Sequence, residues 1–251
     1  MSRAPIALQM YTVRDDAARD FAGTLKAVSR IGYEGVELAG NGGLSAGALR
    51  TLLTDLNLRI AGSHVSLDQL ENSLEAALDY HSELGCSHVV CPWLPESRRG
   101  SAQDYRRLGE TLTRIGARVA ERGMQLCYHN HAFELEQLEG KRALDILFET
   151  ADPKLVQVEL DTYWVEFGGA SAVDYLRHFA GRVPLVHLKD MAGDGTRTFA
   201  ELGQGIMDWS AVLAACREAG ARWLIVEQDQ CQRPPLESAR ISLEYLRSRV
   251  E

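Results

Sequence analysis

The chain of 251 residues lacks any apolar run approaching the roughly 20 residues that a membrane-spanning helix needs. Its N-terminus has no apolar stretch followed by a small-residue cleavage site, so we expect no signal peptide. It also lacks a basic excess, because 27 Lys and Arg stand against 35 Asp and Glu and leave a formal net charge of −8. An acidic chain is a poor generic binder of phosphate backbones and anionic lipids. We therefore expect a small-molecule partner, with no nucleic acid and no membrane.

Disulfide and linker signals are also missing. The five cysteines are an odd number, contain no C-x-x-C pair and lie in apolar or helical contexts, which is typical of reduced thiols. Reduced thiols predict a cytoplasmic protein. Because there is no Pro- or Ser-rich linker and no low-complexity tract, we interpret residues 1–251 as a single domain.

The sequence does contain a regular alternation of short β-branched runs and helical patterns. Strands are predicted over eight segments: Ile6–Met10, Gly35–Leu38, Arg59–His64, His88–Cys91, Gln125–His131, Val156–Asp161, Leu185–Lys189 and Trp223–Glu227. Strands that alternate with helices pair in parallel, and eight such units in about 250 residues predict a single (β/α)8 TIM barrel of the α/β class. A doubly wound open sheet is the alternative. It would usually carry a Gly-rich phosphate loop after the first strand, where no glycine follows here until Gly23.

Polar and ionisable residues collect where the predicted strands end. A parallel barrel brings all these ends to one mouth, where active sites form. The residues are Tyr11, Glu37, His64, Trp93, His129, His131, Glu134, Asp161, His187, Lys189 and Glu227. Converging carboxylates and imidazoles need a compensating partner when they are buried. A divalent cation such as Mn²⁺, Co²⁺, Mg²⁺ or Zn²⁺ suits this set of donor atoms.

Each of these residues also has an ordinary structural interpretation. Asp161 could cap a helix, His187 could be a core histidine bonded to a carbonyl, and Glu227 could be half of a buried ion pair. Their convergence at four neighbouring strand ends favours the metal centre instead. His129 and His131 are two residues apart and so project from the same face of a strand, which suits two contacts to one small ligand.

Several segments resemble the sugar phosphate isomerase/epimerase family of xylose isomerase-like TIM barrels. They are Leu8–Arg14, Gly35–Leu38, Tyr128–Glu134, Val158–Thr162, Val186–Asp190, Gly203–Trp209 and Ile225–Asp229. The resemblance covers essentially the whole chain and identifies a superfamily rather than a substrate. That superfamily includes ketose 3-epimerases, inosose dehydratases, hydroxypyruvate isomerases, keto-glycoside epimerases and lyases, and endonuclease IV. The run Gly203–Trp209 looks like the family's loop that closes over the site, and equally like a turn followed by a helix cap at Asp208.

The resemblance implies one divalent metal, with Mn²⁺ as the first choice, held by Asp161, His187 and Glu227 on strands six, seven and eight. The ligand from strand five is less direct, since the family's ketose epimerases carry a Glu on the strand itself. We predict Glu134, the nearest carboxylate, with His129 as the alternative. This departure speaks against a plain 3-epimerase, whose mechanism resembles a proton exchange between two glutamates.

The implied activity is that of a sugar isomerase or epimerase of carbohydrate metabolism, which abstracts a proton next to a sugar or keto-sugar carbonyl through an enediolate. We predict catalytic roles for Glu134, Glu227, His131, His64 and Lys189, and substrate contacts for Glu37, Trp93, His129 and Tyr11. Three alternatives stay open: a dehydratase or lyase acting on an inosose or a 3-keto-glycoside, an endonuclease IV-like metal nuclease, and a non-catalytic barrel subunit. Assembly into a homo-oligomer is compatible with all of them.

Overall fold

A closed barrel of eight parallel strands forms the centre of the protein, seen in a computed structural model that describes residues 3–250. The barrel strands are β1 Ile6–Gln9, β2 Gly35–Leu38, β3 Arg59–His64, β4 His88–Cys91, β5 Gln125–His129, β8 Val156–Asp161, β9 Leu185–Leu188 and β12 Trp223–Val226. Around the barrel they follow the order β1-β12-β9-β8-β5-β4-β3-β2. Two short hairpins lie outside it, β6 Gln137–Leu138 with β7 Lys141–Arg142, and β10 Asp190–Met191 with β11 Phe199–Ala200. The predicted TIM barrel is confirmed.

Helices connect the strands and surround the barrel. Within residues 3–250 they are α1 Arg14–Arg19, α2 Phe21–Ile31, α3 Ala46–Asp55, α4 Leu67–Asn72, α5 Leu74–Leu84, α6 Ala102–Glu121, α7 Ala143–Thr150, α8 Thr162–Phe167, α9 Ala172–His178, α10 Trp209–Ala219 and α11 Pro235–Val250. Helix α6 illustrates the local cause. The hydroxyl of Ser101 accepts a hydrogen bond from the backbone N–H of Asp104 and caps the first turn, and an apolar stripe then recurs at helical spacing and is buried.

The interior of the barrel follows the two-residue period of its strands, and this period positions the site. Small and apolar side chains form one inner cluster: Ala7, Ala61, Val90, Cys127, Leu185, Trp223 and Ile225. Two residues further along four of these strands come Gln9, His129, His187 and Glu227. The apolar layer therefore closes the barrel from below, and the polar layer faces the mouth formed by the C-terminal strand ends.

Four predicted strands, the first, fifth, seventh and eighth, end one or two residues earlier than expected, and side-chain hydrogen bonds explain the ends of the first and fifth. The side chain of Gln9 accepts a hydrogen bond from the backbone N–H of Tyr11, and a 3-10 helix starts at Met10. In the fifth strand, the carboxylate of Glu134 accepts the backbone N–H of His131. In both places a side chain replaces the neighbouring strand as hydrogen-bond partner, so the sheet cannot continue.

The cysteines behave as the sequence predicted. All five are free; four are buried, and Cys231 is half-buried. No helix within residues 3–250 has both the length and the apolarity needed to cross a membrane. The cytoplasmic location and the single domain over residues 1–251 stay predictions.

Candidate active site

Four buried side chains meet at the C-terminal ends of neighbouring strands. His129 ends β5, Asp161 ends β8, His187 lies in β9, and Glu227 directly follows β12. One donor atom from each lies within 4.8 Å of the others. Two imidazoles and two carboxylates, enclosed and close together, are a ligand set that fits a divalent cation.

His187 lies between two carboxylates, one on each side of its ring. Its Nδ1 is 2.8 Å from Oε2 of Glu227, and its Nε2 is 2.6 Å from Oε2 of Glu37. Glu37 in turn accepts a hydrogen bond of 2.7 Å from the amide of Gln9. A carboxylate that holds one ring nitrogen leaves the other to face a metal, which is the usual arrangement behind metal-binding histidines. The geometry therefore directs Nδ1 of His187 toward Asp161 and Glu227.

Glu37 needs a glycine beside it. A Cβ added at Gly62 would lie 2.5 Å from Oε1 of Glu37, closer than two such atoms approach. The carboxylate is fully buried, and the imidazoles of His64 and His187 outweigh the desolvation, so the pKa of Glu37 is held well below its ordinary value. It was predicted to contact substrate, but it lies beneath the site, against His187.

Lys189 supplies positive charge to the same cluster. Its Nζ is 2.9 Å from Asp161 Oδ2, 2.7 Å from Glu227 Oε2 and 2.9 Å from Asp229 Oδ1. Burial opposes the ammonium charge, but the three carboxylates outweigh it and raise the pKa of Lys189. Desolvation raises the pKa of Asp161 to about 6, although Lys189 opposes that rise. Charge in this site is therefore shared among carboxylates, imidazoles and one ammonium group.

Glu134 lies apart from these ligands. Its Oε1 accepts a 2.5 Å hydrogen bond from the hydroxyl of Tyr128, and its Oε2 accepts one of 2.8 Å from the backbone N–H of His131. Desolvation raises the pKa of Glu134 to about 8, because the carboxyl group is fully buried. Of the two candidates for the strand-five ligand, the structure brings His129 to the cluster and leaves Glu134 in the wall behind it.

His64 and Glu159 form a second group that shares His129 and His187 with the first. Nε2 of His64 is 3.0 Å from Oε2 of Glu159 and 3.3 Å from Oε2 of Glu37. Burial disfavours a charged ring, but the two carboxylates outweigh it and raise the pKa of His64 to about 10. No role was predicted for Glu159. It precedes Asp161 by two residues, so the strand period was the signal that could have identified it.

His131 stands at the edge of the cluster with an unused ring nitrogen. Its Nδ1 is buried and has no hydrogen-bond partner among the described residues. Its ring stacks on Phe133 and meets the ring of His129 at a centroid distance of 5.0 Å. Desolvation, reinforced by Lys189, lowers the pKa of His131 to about 3. His131 therefore presents a neutral imidazole.

A cavity of about 640 Å³ opens above the cluster. It is lined by Tyr11, Arg14, Ala39, His64, Pro92, Trp93, His129, His131, Trp164, Lys189, Phe199, Glu227, Asp229 and Gln230. Seven of the predicted site residues are in this lining, and Glu37, Glu134, Asp161 and His187 lie below or behind it. Trp164 and Phe199 lie outside every segment on which the predicted site was based, and Asp229 ends the segment Ile225–Asp229 but was given no role.

The Gly203–Trp209 segment is fixed from beneath by Asp190. That carboxylate accepts hydrogen bonds from the backbone N–H groups of Met191, Gly203, Gly205 and Met207 and from the indole of Trp209. Asp208 also caps α10 through the N–H of Ala211, as one of its two interpretations expected. The segment does not contribute to the lining of the cavity. The other interpretation, a loop that closes over the site, stays a prediction.

Comparisons with known proteins agree on this architecture. A family model described as xylose isomerase-like TIM barrel matches residues 25–249. An inosose dehydratase of Geobacillus kaustophilus is 27% identical over 88% of this chain and 85% of its own length. A sugar phosphate isomerase/epimerase from Parabacteroides distasonis superposes with a TM-score of 0.83 at 24% identity, over 98% of this chain and 95% of that one. An IOLI protein solved with a zinc atom superposes with a TM-score of 0.79 at 14% identity, over 98% of each chain.

Proposed function

Because the chain belongs to the xylose isomerase-like TIM-barrel family, we propose that it is a divalent-metal-dependent enzyme acting on a keto-sugar or keto-polyol. In this proposal it removes a proton next to the carbonyl and then expels a neighbouring hydroxyl as water. The observation that carries the proposal is the buried cluster of His129, Asp161, His187 and Glu227 at the floor of a cavity that also presents His64 and His131.

The metal would be held by His129, Asp161, His187 and Glu227. Mn²⁺ remains our first choice, with Co²⁺, Mg²⁺ and Zn²⁺ as alternatives, and the zinc atom in the IOLI structure supports a divalent site in this fold. When bound, such an ion acidifies the C–H beside a carbonyl and stabilises the negative charge that develops on deprotonation. His129 replaces Glu134 in this set because of the distances described above.

His131 is the group we assign to proton removal. Its unpartnered Nδ1 and neutral ring allow it to accept a proton from the carbon beside the carbonyl. His64 lies on another strand, with Nε2 against Glu159 and Glu37, and no described residue hydrogen-bonds to its Nδ1. We assign to His64 the donation of a proton to the departing hydroxyl group. The sum is loss of one water: the carbon gives its proton to His131, the C–O bond breaks, and a carbon–carbon double bond forms.

Lys189 and Asp229 complete the floor of the cavity. The ammonium group of Lys189 can donate a hydrogen bond to a substrate oxygen while Asp229 holds it in place. Glu227 combines a ligand role with a position on the cavity lining. Glu37 and Glu134 act as positioning residues in this proposal, the first through the ring of His187 and the second through the backbone of His131.

Isomerisation or epimerisation is the second candidate. It shares the first step and differs only in that the proton returns to carbon. The similarity to a sugar phosphate isomerase/epimerase structure favours it, whereas the higher identity to an inosose dehydratase, 27% against 24%, favours dehydration. We therefore place dehydration first.

Proton NMR in D₂O separates the two candidates. Mn²⁺-loaded protein would be incubated with a panel of inososes, ketoses and 3-keto-glucosides, and the paramagnetic ion would be removed before spectra are recorded. A new enone signal means dehydration, and deuterium at carbon without a new alkene means isomerisation or epimerisation. His131→Ala should lose both, and His178→Ala, at the end of α9, is the matched control. No exchange with any ketone would contradict the proposal and favour a non-catalytic barrel.

A further inference from the structure

Large apolar side chains are exposed around the mouth of the barrel. Within residues 3–250 they are Tyr11, Trp93, Phe167 and Ile206, with exposed fractions of 44%, 49%, 37% and 64%. Each lies in a segment that leads from the C-terminal end of a barrel strand to a following helix.

Only two of these four side chains, Tyr11 and Trp93, line the cavity above the metal-ligand cluster. They differ from the floor in depth: His129 and Glu227 are 2% and 5% exposed, whereas about half of each aromatic side chain is in solvent. A sugar ring whose carbonyl reaches His129 and Glu227 therefore lies below them. Tyr11 and Trp93 therefore border the part of the cavity that this sugar ring would not occupy.

Arginines hold both aromatic rings in place. The Cζ of Arg14 lies 4.3 Å from the ring centroid of Tyr11, and its Nη1 donates a 2.9 Å hydrogen bond to the Tyr11 carbonyl. The Cζ of Arg99 lies 6.0 Å from the ring centroid of Trp93 and 3.7 Å from that of Phe133. A guanidinium group over a ring face is attracted to the ring, and this attraction is stronger for Arg14 on Tyr11 than for Arg99 on Trp93, because Arg14 lies closer.

We propose that Tyr11 and Trp93 form a subsite for a second ring joined to the reacting sugar, so that the substrate is a glycoside rather than a free monosaccharide. This inference rests on the proposed function, which places the reacting ring on the floor. Aromatic side chains stack on planar rings and on the C–H faces of sugars, so an aromatic aglycone and a second sugar share the chemistry that this subsite recognises.

Calorimetric titration of the metal-loaded protein tests the subsite without any turnover. The probes are methyl β-glucoside, phenyl β-glucoside and cellobiose, which have no ketone and cannot be enolised. We expect phenyl β-glucoside or cellobiose to bind about tenfold more tightly than methyl β-glucoside. Trp93→Ala and Tyr11→Ala should each remove most of that preference. Phe167→Ala, an exposed aromatic residue outside the cavity, should keep it.

The preferred ligand identifies the second ring, as an aromatic aglycone or as a sugar. Equal binding of all three probes, no binding of any, or a preference that survives in Trp93→Ala would each overturn the inference. Circular dichroism would confirm that each variant is folded, which is expected because none of the substituted side chains is buried. The D₂O experiment is independent of this titration, so enolisation of a free inosose with no aryl preference would reject the subsite and keep the proposed function.

Discussion

Glu37 does not line the cavity, and in the proposed site it acts through the ring of His187. Its carboxylate holds Nε2 of His187 at 2.6 Å, and with that nitrogen occupied, Nδ1 faces Asp161 and Glu227. Because such partners fix the tautomer and orientation of a metal-binding histidine, we expect Glu37→Gln to weaken Mn²⁺ binding about 10- to 100-fold. Calorimetric titration with Mn²⁺ measures the change.

Glu34→Gln is the matched control for that variant. Glu34 precedes β2 and pairs with Arg3 and Arg59 near the strand N-termini, at the opposite end of the barrel. It should alter thermal stability slightly and leave Mn²⁺ affinity unchanged. Equal Mn²⁺ affinity in Glu37→Gln and the unmodified chain would show that His187 does not depend on Glu37 for its orientation.

Glu134 makes a pH-dependent contribution to stability whose sign follows from its burial. Burial raises the pKa of Glu134 from 4.5 to about 8 in the folded protein. Below pH 4.5 the carboxyl is protonated in both folded and unfolded chains, and the full stability is present. Between pH 4.5 and 8 the Glu134 carboxyl is ionised in the unfolded chain but protonated in the folded protein. The free energy of unfolding therefore falls as pH rises, by about 1.4 kcal/mol for each unit of pKa difference.

Glu134→Gln should remove this dependence. The melting temperature of the variant, compared with that of the unmodified chain, should rise steadily from pH 4.5 to 8 and then level off. Glu110→Gln, on the exposed face of α6, should show no such trend. A parallel pH profile for Glu134→Gln and the unmodified chain would mean that Glu134 is ionised in the folded state.

At the scale of the elements, periodicity predicted the types correctly and the ends less well. The eight strands and the stripe of α6 depend on many residues at once, so single exceptions do not obscure them. Strand ends depend on one or two side-chain hydrogen bonds, such as those accepted by Gln9 and Glu134. No pattern in the sequence predicts these hydrogen bonds. The same is true of Asp190, which follows a barrel strand and organises a segment up to 19 residues away.

The Gly203–Trp209 segment should be the part of the mouth most sensitive to a single change. Asp190 accepts five N–H groups, and its removal leaves several of them without a partner. An unsatisfied buried group costs about 1–3 kcal/mol, so we expect Asp190→Ala to lower the free energy of unfolding by at least about 3 kcal/mol. Urea denaturation measures it.

Asp208→Ala is the reference variant against which the loss of stability in Asp190→Ala is compared. It removes a single helix cap, for which about 1 kcal/mol is typical. The close packing of the segment against Asp190 also requires the glycine at position 205. A Cβ at Gly205 would collide with the Asp190 carboxylate and with the Met191 carbonyl. An Asp190→Ala variant no less stable than Asp208→Ala would contradict the central role of Asp190.

At the scale of the whole molecule, the strand pattern predicted which residues would converge at the mouth of the barrel, and the structure shows how they are arranged there. A closed parallel barrel brings the C-terminal ends of all its strands to one face. Side chains at those ends therefore lie close together, as Asp161, His187 and Glu227 do. Whether His129 or Glu134 joins the cluster depends on the direction in which the 3-10 turn Phe133–Leu135 holds the Glu134 carboxylate. The spacing of residues along the strands cannot predict that direction. Which ligand the cavity selects could not be predicted, because the loops after β1 and β4 line it with single aromatic residues, Tyr11 and Trp93, rather than with motifs.

Metal binding should stabilise the barrel as a whole, because the proposed ligands come from β5, β8, β9 and the end of β12, half of the closed sheet. An ion that binds only the folded chain adds about 2.7 kcal/mol at a free concentration one hundred times its dissociation constant. We expect Mn²⁺ to raise the melting temperature, a chelator to reverse the rise, and hydrogen exchange to slow most in these four strands. Asp161→Asn should abolish the rise, and Asp174→Asn, in the first turn of α9, should keep it. A rise of the same size in Asp161→Asn would place the ion elsewhere and remove the proposed site from the mechanism.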